Sequence, residues 1–308
     1  MADTVFAIVP VFSLILFGWA LRRANFAPAA FWAGIDRLTY FILLPCLLIH
    51  GLATANLTGV PVGNAILVVT VGVLAVFGLV YGLRSRVAPK SGVYGALVQC
   101  SMRGNNYPVL AIIVGLYDDI GVSAFALSLI AFVPLTNLIS VIVLARAGKA
   151  NAPSGPAVIM RQVVLNPILL AVAIGLALNI ADAGIPAPAD SIFRILGRAA
   201  LPLGLLAVGA GLTFSALAGR GKAVFTSMVL KLLVLPALVL VGLNNLEIEG
   251  AFAASLLINA AVPCSVSTYA LARQMKGDAK TTAAMIAAQT MASIVTLPLW
   301  LWVKDWFI

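Results

Sequence analysis

Charged residues are scarce in this sequence of 308 residues: they make up 9% of the chain, whereas 62% of its residues are hydrophobic. Soluble domains carry about 25% charged residues, and a water-soluble fold needs a polar exterior. Because the mean hydropathy is +1.10, the chain cannot supply that exterior. The composition therefore excludes an ordinary soluble fold and predicts a protein that is embedded in the lipid bilayer.

Cysteine and histidine are also rare, with three cysteines and a single histidine in the whole chain. Cys46, Cys100 and Cys264 all lie in apolar stretches at unrelated spacings. They lack the paired spacing of a zinc site and of a disulfide framework. We therefore expect no metal and no cofactor, and we interpret His50 as a packing or surface residue.

The formal net charge of +9 would suit a nucleic-acid-binding protein, but the arrangement of the basic residues does not. They form no single cluster and are not interleaved with exposed aromatic residues, so no nucleic-acid partner is expected. They lie between apolar runs instead. The first of these runs has Asp3 and no basic residue before it, unlike a secretory signal, and we interpret it as a permanent membrane span.

Apolar runs of about 20 residues, the length that crosses a hydrocarbon core of roughly 30 Å, occur ten times along the chain. They show none of the alternation of a membrane β-strand, so we predict ten transmembrane helices. The runs lie near residues 4–22, 35–54, 63–83, 92–116, 121–145, 157–180, 191–213, 222–243, 250–272 and 280–303.

The sign of the charge alternates between successive loops. The loops after the odd-numbered runs are basic and those after runs 4, 6 and 8 are acidic, with Arg194 and Arg198 as exceptions. By the positive-inside rule the odd-numbered loops are cytoplasmic, which predicts a multi-pass protein of the cell (inner) membrane with both termini outside. The basic set is Arg22, Arg23, Arg37, Arg84, Arg86, Lys90, Arg146, Lys149, Arg161, Arg220, Lys222, Arg273, Lys276 and Lys280, and the acidic set is Asp118, Asp119, Asp182, Asp190, Glu247 and Glu249.

Five spans in each half is an odd number, so the two halves of the chain must have opposite orientations in the membrane. Residues 1–146 are predicted to form the first five-helix repeat, residues 147–156 a cytoplasmic linker, and residues 157–308 the second, inverted repeat. Inverted repeats of this kind are typical of secondary transporters.

Runs 4 and 9, which occupy corresponding places in the two halves, each contain a proline among polar residues. The segments are SMRGNNYP at residues 101–108 and NAAVPCSVST at residues 259–268. A proline removes a helical hydrogen bond, and freed backbone groups are tolerated at membrane depth only inside the protein or in a cavity. Paired broken helices indicate a midplane binding site. The alternative is a pair of kinked helices whose Asn and Ser side chains bind neighbouring helices.

Two basic residues lie deep inside runs. Arg103 is roughly 15 Å along run 4, at 1.5 Å per residue, and Lys231 is at a similar depth in run 8. A charge at the bilayer centre costs on the order of 3 kcal/mol. Because all ten acidic residues are assigned to termini, loops or helix ends, an anionic ligand is the expected counter-charge. The alternative is that Arg103 binds helix C-terminal carbonyls and that Lys231 reaches a water-filled cavity.

Four segments resemble the auxin efflux carrier family, which includes plant PIN carriers and bacterial malonate carriers. They are RGNNYPVLAIIVGLYDD in run 4, NAAVPCSVSTYALARQMKGD in run 9, LLPCLLIHGLA in run 2 and VPLTNLISVIVL in run 5. The resemblance implies an all-α fold similar to that of bile-acid symporters, with ten transmembrane helices in two inverted five-helix repeats and broken helices 4 and 9 crossing at the midplane. Spans 1, 2, 6 and 7 would form a scaffold able to dimerise, and the remaining spans a moving transport domain.

The resemblance also implies a substrate site at the two broken helices. Asn105, Pro108, Val262 and Pro263 match the family's substrate positions, and Asn137 matches its asparagine in span 5. Arg103 is not a general feature of the family and favours a small carboxylate over an auxin-like substrate. The complete set of expected substrate-binding residues is Arg103, Asn105, Asn106, Tyr107, Pro108, Asn137, Lys231, Asn259, Val262, Pro263 and Ser265.

The leading hypothesis is a secondary transporter that moves a small organic anion by alternating access. The alternative is a sodium-coupled importer of the bile-acid type. It is less favoured because buried acidic ligands for sodium are missing, but a sodium site made of carbonyls and Asn side chains remains an alternative. A membrane enzyme would need a nucleophile with its base, or a metal cluster, and a receptor usually carries a soluble domain, so neither class is favoured. An inside-negative potential drives an anion outward with about 2.3 kcal/mol per charge per 100 mV, which favours export.

Overall fold

The computed structural model describes residues 2–147, 165–213 and 221–307, which form α-helices joined by short turns, with no β-strand in these ranges. The helices are α1 (Ala2–Arg23), α2 (Ala29–Leu38), α3 (Leu44–Ala53), α4 (Val62–Val87), α5 (Ser91–Met102), α6 (Asn106–Ala147), α7 (Pro167–Ile180), α8 (Ala187–Ala210), α9 (Gly221–Val229), α10 (Leu235–Asn245), α11 (Gly250–Ala261), α12 (Ser267–Gln274) and α13 (Ala279–Lys304). Most of the predicted linker 147–156 and the start of predicted run 6 lie outside the described residues.

Seven helical segments of the described chain are long and apolar enough to cross a membrane. They are Phe6–Arg23, Ala29–Ala53, Val62–Val87, Ser91–Arg146, Ala187–Ala210, Gly221–Asn245 and Ala279–Lys304, and α7 and α11 are shorter apolar helices. The segment Ser91–Arg146 covers two of the predicted runs. The length and composition of these helices confirm the prediction of an all-helical, multi-pass membrane protein.

The polarity of the fold is reversed relative to a soluble protein. Leu67, Val71 and Leu74 on α4 are exposed, whereas Gln99 and Gln289 are fully buried. Apolar residues on the outside cost nothing when the surroundings are lipid, because hydrocarbon replaces water there. The buried polar side chains bind backbone groups, which have no water to bind at membrane depth.

Two of the membrane-spanning segments contain a proline and still continue as helices. The turns Thr39–Leu43 and Leu230–Val234 are π-helical and directly precede the starts of α3 and α10, where Pro45 and Pro236 lie. Proline has no N–H and clashes with the carbonyl four residues earlier, and a wider π turn accommodates both effects. The segments 29–53 and 221–245 are therefore bent rather than interrupted.

Helix α6 contains a sharp turn at Asp118, whose φ of 48° and ψ of −133° are not helical. The turn separates residues 106–117 from residues 119–147. A Cβ atom at Gly121 would lie 2.5 Å from the carbonyl oxygen of Ile113, so the chain can reverse this tightly only with glycine at that position. The turn coincides with the predicted boundary between runs 4 and 5.

The two predicted interruptions are both present in the structure. Residues 103–105 are non-helical between α5 and α6, and residues 262–266 are non-helical between α11 and α12. The two gaps touch each other, since the backbone N–H of Asn105 donates to the carbonyl oxygen of Pro263 at 2.9 Å. Each gap therefore satisfies part of the other's freed backbone.

The helices pack in two sets. The first helix group consists of α1, α2, α3, α7 and α8, which pack on one another. The second helix group consists of α4, α5, α6 and α9–α13. Contacts between the groups involve mainly α6 and α13, and the two gaps belong to the second helix group.

Close packing of α1 on α8 depends on glycine, and this gives a first prediction. A Cβ atom at Gly209 would lie 1.8 Å from the carbonyl oxygen of Ile15, so alanine there must push the two helices apart. Overpacking of this kind costs about 1–3 kcal/mol. We expect Gly209→Ala to lower the midpoint of thermal unfolding of the detergent-purified protein by several degrees, followed by tryptophan fluorescence.

The matched control is Gly78→Ala on α4, where an added Cβ atom meets nothing within 4 Å. Alanine is a better helix former than glycine, so this variant should be as stable as the original protein or slightly more stable. Equal unfolding midpoints for the two variants would contradict the role assigned to Gly209.

Candidate functional site

A cavity of about 390 Å³ lies between the first and the second helix group, beside the two gaps. The second helix group contributes both gaps, α6 and α12 to its wall. The first helix group contributes α2, the π turn that follows it and the start of α7. Seven of the eleven expected site residues line this cavity: Arg103, Asn105, Asn106, Tyr107, Asn137, Asn259 and Ser265.

The other four expected residues do not line the cavity. Pro108 lies in the first turn of α6, where a proline removes no helical hydrogen bond. Val262 and Pro263 lie in the gap between α11 and α12, and their part is structural, since the Pro263 carbonyl binds Asn105. Lys231 is fully buried behind the gap.

Unpartnered polar atoms concentrate at the cavity. Arg103 Nη1, Asn105 Nδ2, Asn259 Nδ2 and the Tyr107 hydroxyl are buried and have no hydrogen-bond partner in the described residues. Three of the four are donors only, and a hydroxyl can donate. A buried donor without a partner costs about 1–3 kcal/mol, and a ligand with acceptor atoms bound beside these residues would offset that cost.

The Arg103 guanidinium is held at the beginning of a helix. Its Nη2 donates to the Ser267 hydroxyl at 3.3 Å, and that hydroxyl also contacts the Ser265 hydroxyl at 2.9 Å. Ser267 is the first residue of α12, where the helix dipole is positive and repels a cation. No described carboxylate lies within ion-pair distance of Arg103, so its positive charge is not compensated within this part of the chain.

Lys231 is placed in the opposite electrostatic setting. Its Nζ donates to the carbonyl oxygens of Asn259 at 3.0 Å and Ala260 at 2.8 Å. These carbonyls belong to the last turn of α11, where the helix dipole is negative and favours a cation. Lys231 therefore binds the carbonyls at the C-terminal end of a helix. That role was the alternative considered for Arg103.

Gln289 on α13 joins the two broken spans. Its Oε1 accepts the backbone N–H of Cys264 at 2.8 Å, and its Nε2 donates to the carbonyl oxygens of Cys100 at 2.9 Å and Ser227 at 3.2 Å. One buried amide thus satisfies freed backbone groups on α5, on the second gap and on α9. The sequence analysis did not identify Gln289, because a single Gln in an apolar run gives no local signal.

Asp36 corrects an expectation from the sequence. We expected it at a helix end outside the membrane core, but it lies inside the helical segment Ala29–Ala53 and lines the cavity. The segment begins earlier than the predicted run because Ala29–Gly34 are also helical, so Asp36 lies within the helix and not at its start. A carboxylate is therefore present in the cavity, although not within ion-pair distance of Arg103.

Other lining residues were also missed by sequence reasoning. Arg37, Tyr40 and Asn166 all line the cavity on the side of the first helix group. Asn166 has a recognisable signal, because it precedes Pro167 and its Oδ1 caps α7 by accepting the backbone N–H of Ile168 at 3.0 Å. The Asn–Pro pair predicts a helix start, but only the packing places that start at the cavity.

A second chamber of about 320 Å³ continues from the cavity. The two share Tyr40, Arg103 and Asn137, and the second chamber extends to Val141 and Leu165. His50 does not contribute to either chamber. It pairs with Asp190 on α8 at 3.0 Å between Nε2 and Oδ1, which agrees with a packing role.

The contacts of Gln289 give a second prediction. Gln289→Leu leaves the Cys264 N–H and the carbonyls of Cys100 and Ser227 without this partner, at about 1–3 kcal/mol for each unsatisfied group. We expect a large fall in the unfolding midpoint, measured in detergent without ligand. Thr290→Val is the control, because it removes only a bond within α13, from the Thr290 hydroxyl to the Ile286 carbonyl. A fall no larger than that of the control would show that the amide does not join the broken spans.

Comparison with known proteins agrees with the resemblance found in the sequence. Residues 154–301 match the family model described as membrane transport protein. No curated protein sequence matches the chain. The matched range includes α7 to α12 and most of α13, and with them one of the two gaps and Asn259, Ser265 and Ser267 of the cavity wall. Residues 154–301, just under half of the chain, are thus similar to a family of membrane transport proteins, and the described helices are those of a multi-pass membrane protein.

Proposed function

We propose that this protein is a secondary transporter that moves a small organic anion, a carboxylate, by alternating access. The observation that carries the proposal is the unpaired guanidinium of Arg103 among three further unpartnered polar groups at one cavity. A carboxylate has two oxygens and about four acceptor sites. It can therefore accept hydrogen bonds from Arg103 and from the Asn105 and Asn259 amides together.

Electrostatics favour an anion over a neutral ligand. Arg103 lies at a helix N-terminus, and no carboxylate of the described residues is within ion-pair distance of it. A charge so placed in a membrane protein is costly until it is compensated. A bound carboxylate supplies the missing charge and is also stabilised by the N-terminal dipole of α12. A sugar would satisfy the donors but would leave the charge uncompensated.

The cavity also suggests how many charges the substrate carries. Its charged lining residues are Asp36, Arg37 and Arg103, which leaves one positive charge in excess. Part of the remaining wall is apolar, with Phe41, Leu44, Phe132, Val133 and Ile168. A monocarboxylate with a small apolar body fits this wall better than a dicarboxylate, and about 390 Å³ lies at the small end of ligand pockets.

The position of the cavity supports alternating access. It lies between the first helix group, which contains predicted spans 1, 2 and 7 and the described part of span 6, and the second helix group, which contains the others. In the proposed mechanism the first group is the scaffold and the second is the moving transport domain. We further propose that the ten spans form two inverted five-helix repeats, with the broken spans 4 and 9 crossing at the site.

The second chamber supports a proposal for the side to which the site is open in this state. It extends to Val141 in the last third of α6 and to Leu165 just before α7, and the sequence between these two helices is basic. By the positive-inside rule this side is the cytoplasm, so we propose an inward-facing state, both termini outside and a location in the cell (inner) membrane. Exposed Phe6, Val9 and Phe17 on α1 offer an apolar face through which the scaffold helices would form a homodimer.

The first test is a thermal-shift screen of the detergent-purified protein with formate, acetate, benzoate, malonate and succinate. We expect a monocarboxylate to raise the unfolding midpoint of the original protein and not that of Arg103→Gln. Hydrogen bonds to charged groups contribute about 1.5–3 kcal/mol, so Arg103→Gln should bind about tenfold to a hundredfold more weakly.

Arg84→Gln is the matched control for the screen, because the Arg84 guanidinium lies over the Tyr94 ring, outside the cavity. This variant should respond to carboxylates like the original protein. Stabilisation by a cation or a sugar, with no response to any carboxylate, would overturn the anion proposal.

The second test is counterflow of the stabilising carboxylate in liposomes with and without sodium or pH gradients. For transport driven by the charge of the anion alone, we expect the counterflow rate to be unchanged by either gradient and to depend on the membrane potential. An obligatory dependence on sodium would instead support the alternative of a sodium-coupled importer of the bile-acid type.

A further inference from the structure

Lys231 is a fully buried cation that the cavity does not use. It lies in the π turn Leu230–Val234 of the segment 221–245, and none of its surface is exposed. Within the described residues, its Nζ donates to the carbonyl oxygens of Asn259 and Ala260. It has no described carboxylate within ion-pair distance. Within the described ranges, its charge is therefore compensated by backbone carbonyls.

Those two carbonyls are free for identifiable reasons. In an unbroken helix Asn259 O would accept from the N–H of residue 263, and Ala260 O from the N–H of residue 264. Residue 263 is a proline and has no N–H. The N–H of Cys264 donates instead to Gln289 Oε1 at 2.8 Å. The break thus presents two adjacent acceptors at the negative end of a helix.

Free carbonyls at the C-terminal end of a broken transmembrane helix are a recurring type of ligand for a monovalent coupling ion in transporters. Here the ammonium group of Lys231 occupies the equivalent electrostatic position through a covalent tether. We propose that Lys231 is a built-in cation that replaces a soluble coupling ion at the second gap. This proposal rests on the proposed transport function. It adds an account of how the substrate site is positioned and of why transport would not need sodium.

The tethered ammonium also positions the substrate site. Asn259 binds Lys231 through its carbonyl, while its side chain lines the cavity with an unpartnered Nδ2. A Cβ atom at Gly104 would lie 2.7 Å from Asn259 Oδ1, so the Asn259 side chain is packed directly against the first gap. A cation behind the Asn259 backbone therefore fixes the end of α11, and the Asn259 side chain carries that position to the first gap. Lys231 is a positioning residue and does not itself touch the substrate.

The test uses small cations alone as probes of purified full-length protein. Lys231→Ala removes the ammonium and leaves room for a free cation beside the two carbonyls. We expect sodium chloride or methylammonium chloride to raise the unfolding midpoint of Lys231→Ala in a saturable way, compared with choline chloride at the same ionic strength. The original protein and Lys231→Arg, which keep a tethered cation, should show no such difference.

Lys304→Ala is the control for the loss of a lysine as such, because Lys304 lies at the end of α13 and donates to the Tyr117 hydroxyl. It should show no selective response to the small cations. Failure of both small cations to stabilise Lys231→Ala would overturn the proposal, because a site that holds a substitute for a coupling ion must accept a free cation once the lysine is removed.

Saturable stabilisation of the original protein by sodium would overturn the proposal equally, and this measurement remains decisive if Lys231→Ala does not fold. Neither readout involves a carboxylate. The proposal of a built-in cation can therefore be overturned while the carboxylate screen supports anion binding, or be supported while that screen does not.

Discussion

Backbone groups released where two transmembrane helices break have no water to bind at membrane depth, and the rest of the site follows from how the protein satisfies them. The gap at 103–105 and the gap at 262–266 bind each other through the Asn105 N–H and the Pro263 carbonyl. Gln289 binds both broken spans at once, and Lys231 binds the carbonyls at the end of α11. Each partner comes from a different helix, so the helices around the gaps are fixed relative to one another.

The two deep cations illustrate how position along a helix decides what a charge does. Lys231 lies at the negative end of α11, with two carbonyls bound, and is compensated there. Arg103 lies at the positive end of α12 and has one nitrogen without a partner. The same formal charge is therefore structural in one place and available for a ligand in the other. From the sequence, Arg103 and Lys231 were predicted to lie at similar depths and both to bind the substrate. Only the helix end that each one contacts distinguishes their roles.

Much of the architecture was predictable because the bilayer imposes simple rules. Apolar runs gave the helical segments, since a span needs about 20 apolar residues, and the prolines beside Asn and Ser marked both gaps. The site was predictable where it coincides with the gaps, as for Asn105 and Asn259. The site residues on the opposite wall of the cavity were not predictable, because Asp36 and Tyr40 come from a helical segment that is distant in sequence from both gaps. Residues there line the cavity only because α2 packs against α8, and no local pattern records that contact.

Composition and the order of apolar runs by themselves determined that this protein is helical and lies in a membrane, because hydrophobicity is a property of each residue. Local sequence also marked where the helices break, because each gap has a proline in or beside it among polar residues, whereas Pro45 and Pro236 lie in apolar surroundings and only bend their helices. Tertiary structure alone decided which freed carbonyls Lys231 compensates, which amide joins the gaps, and that Asp36 and Arg103 share one cavity. Those relations depend on distances of about 3 Å between residues far apart in the chain, and such distances arise only when the helices pack.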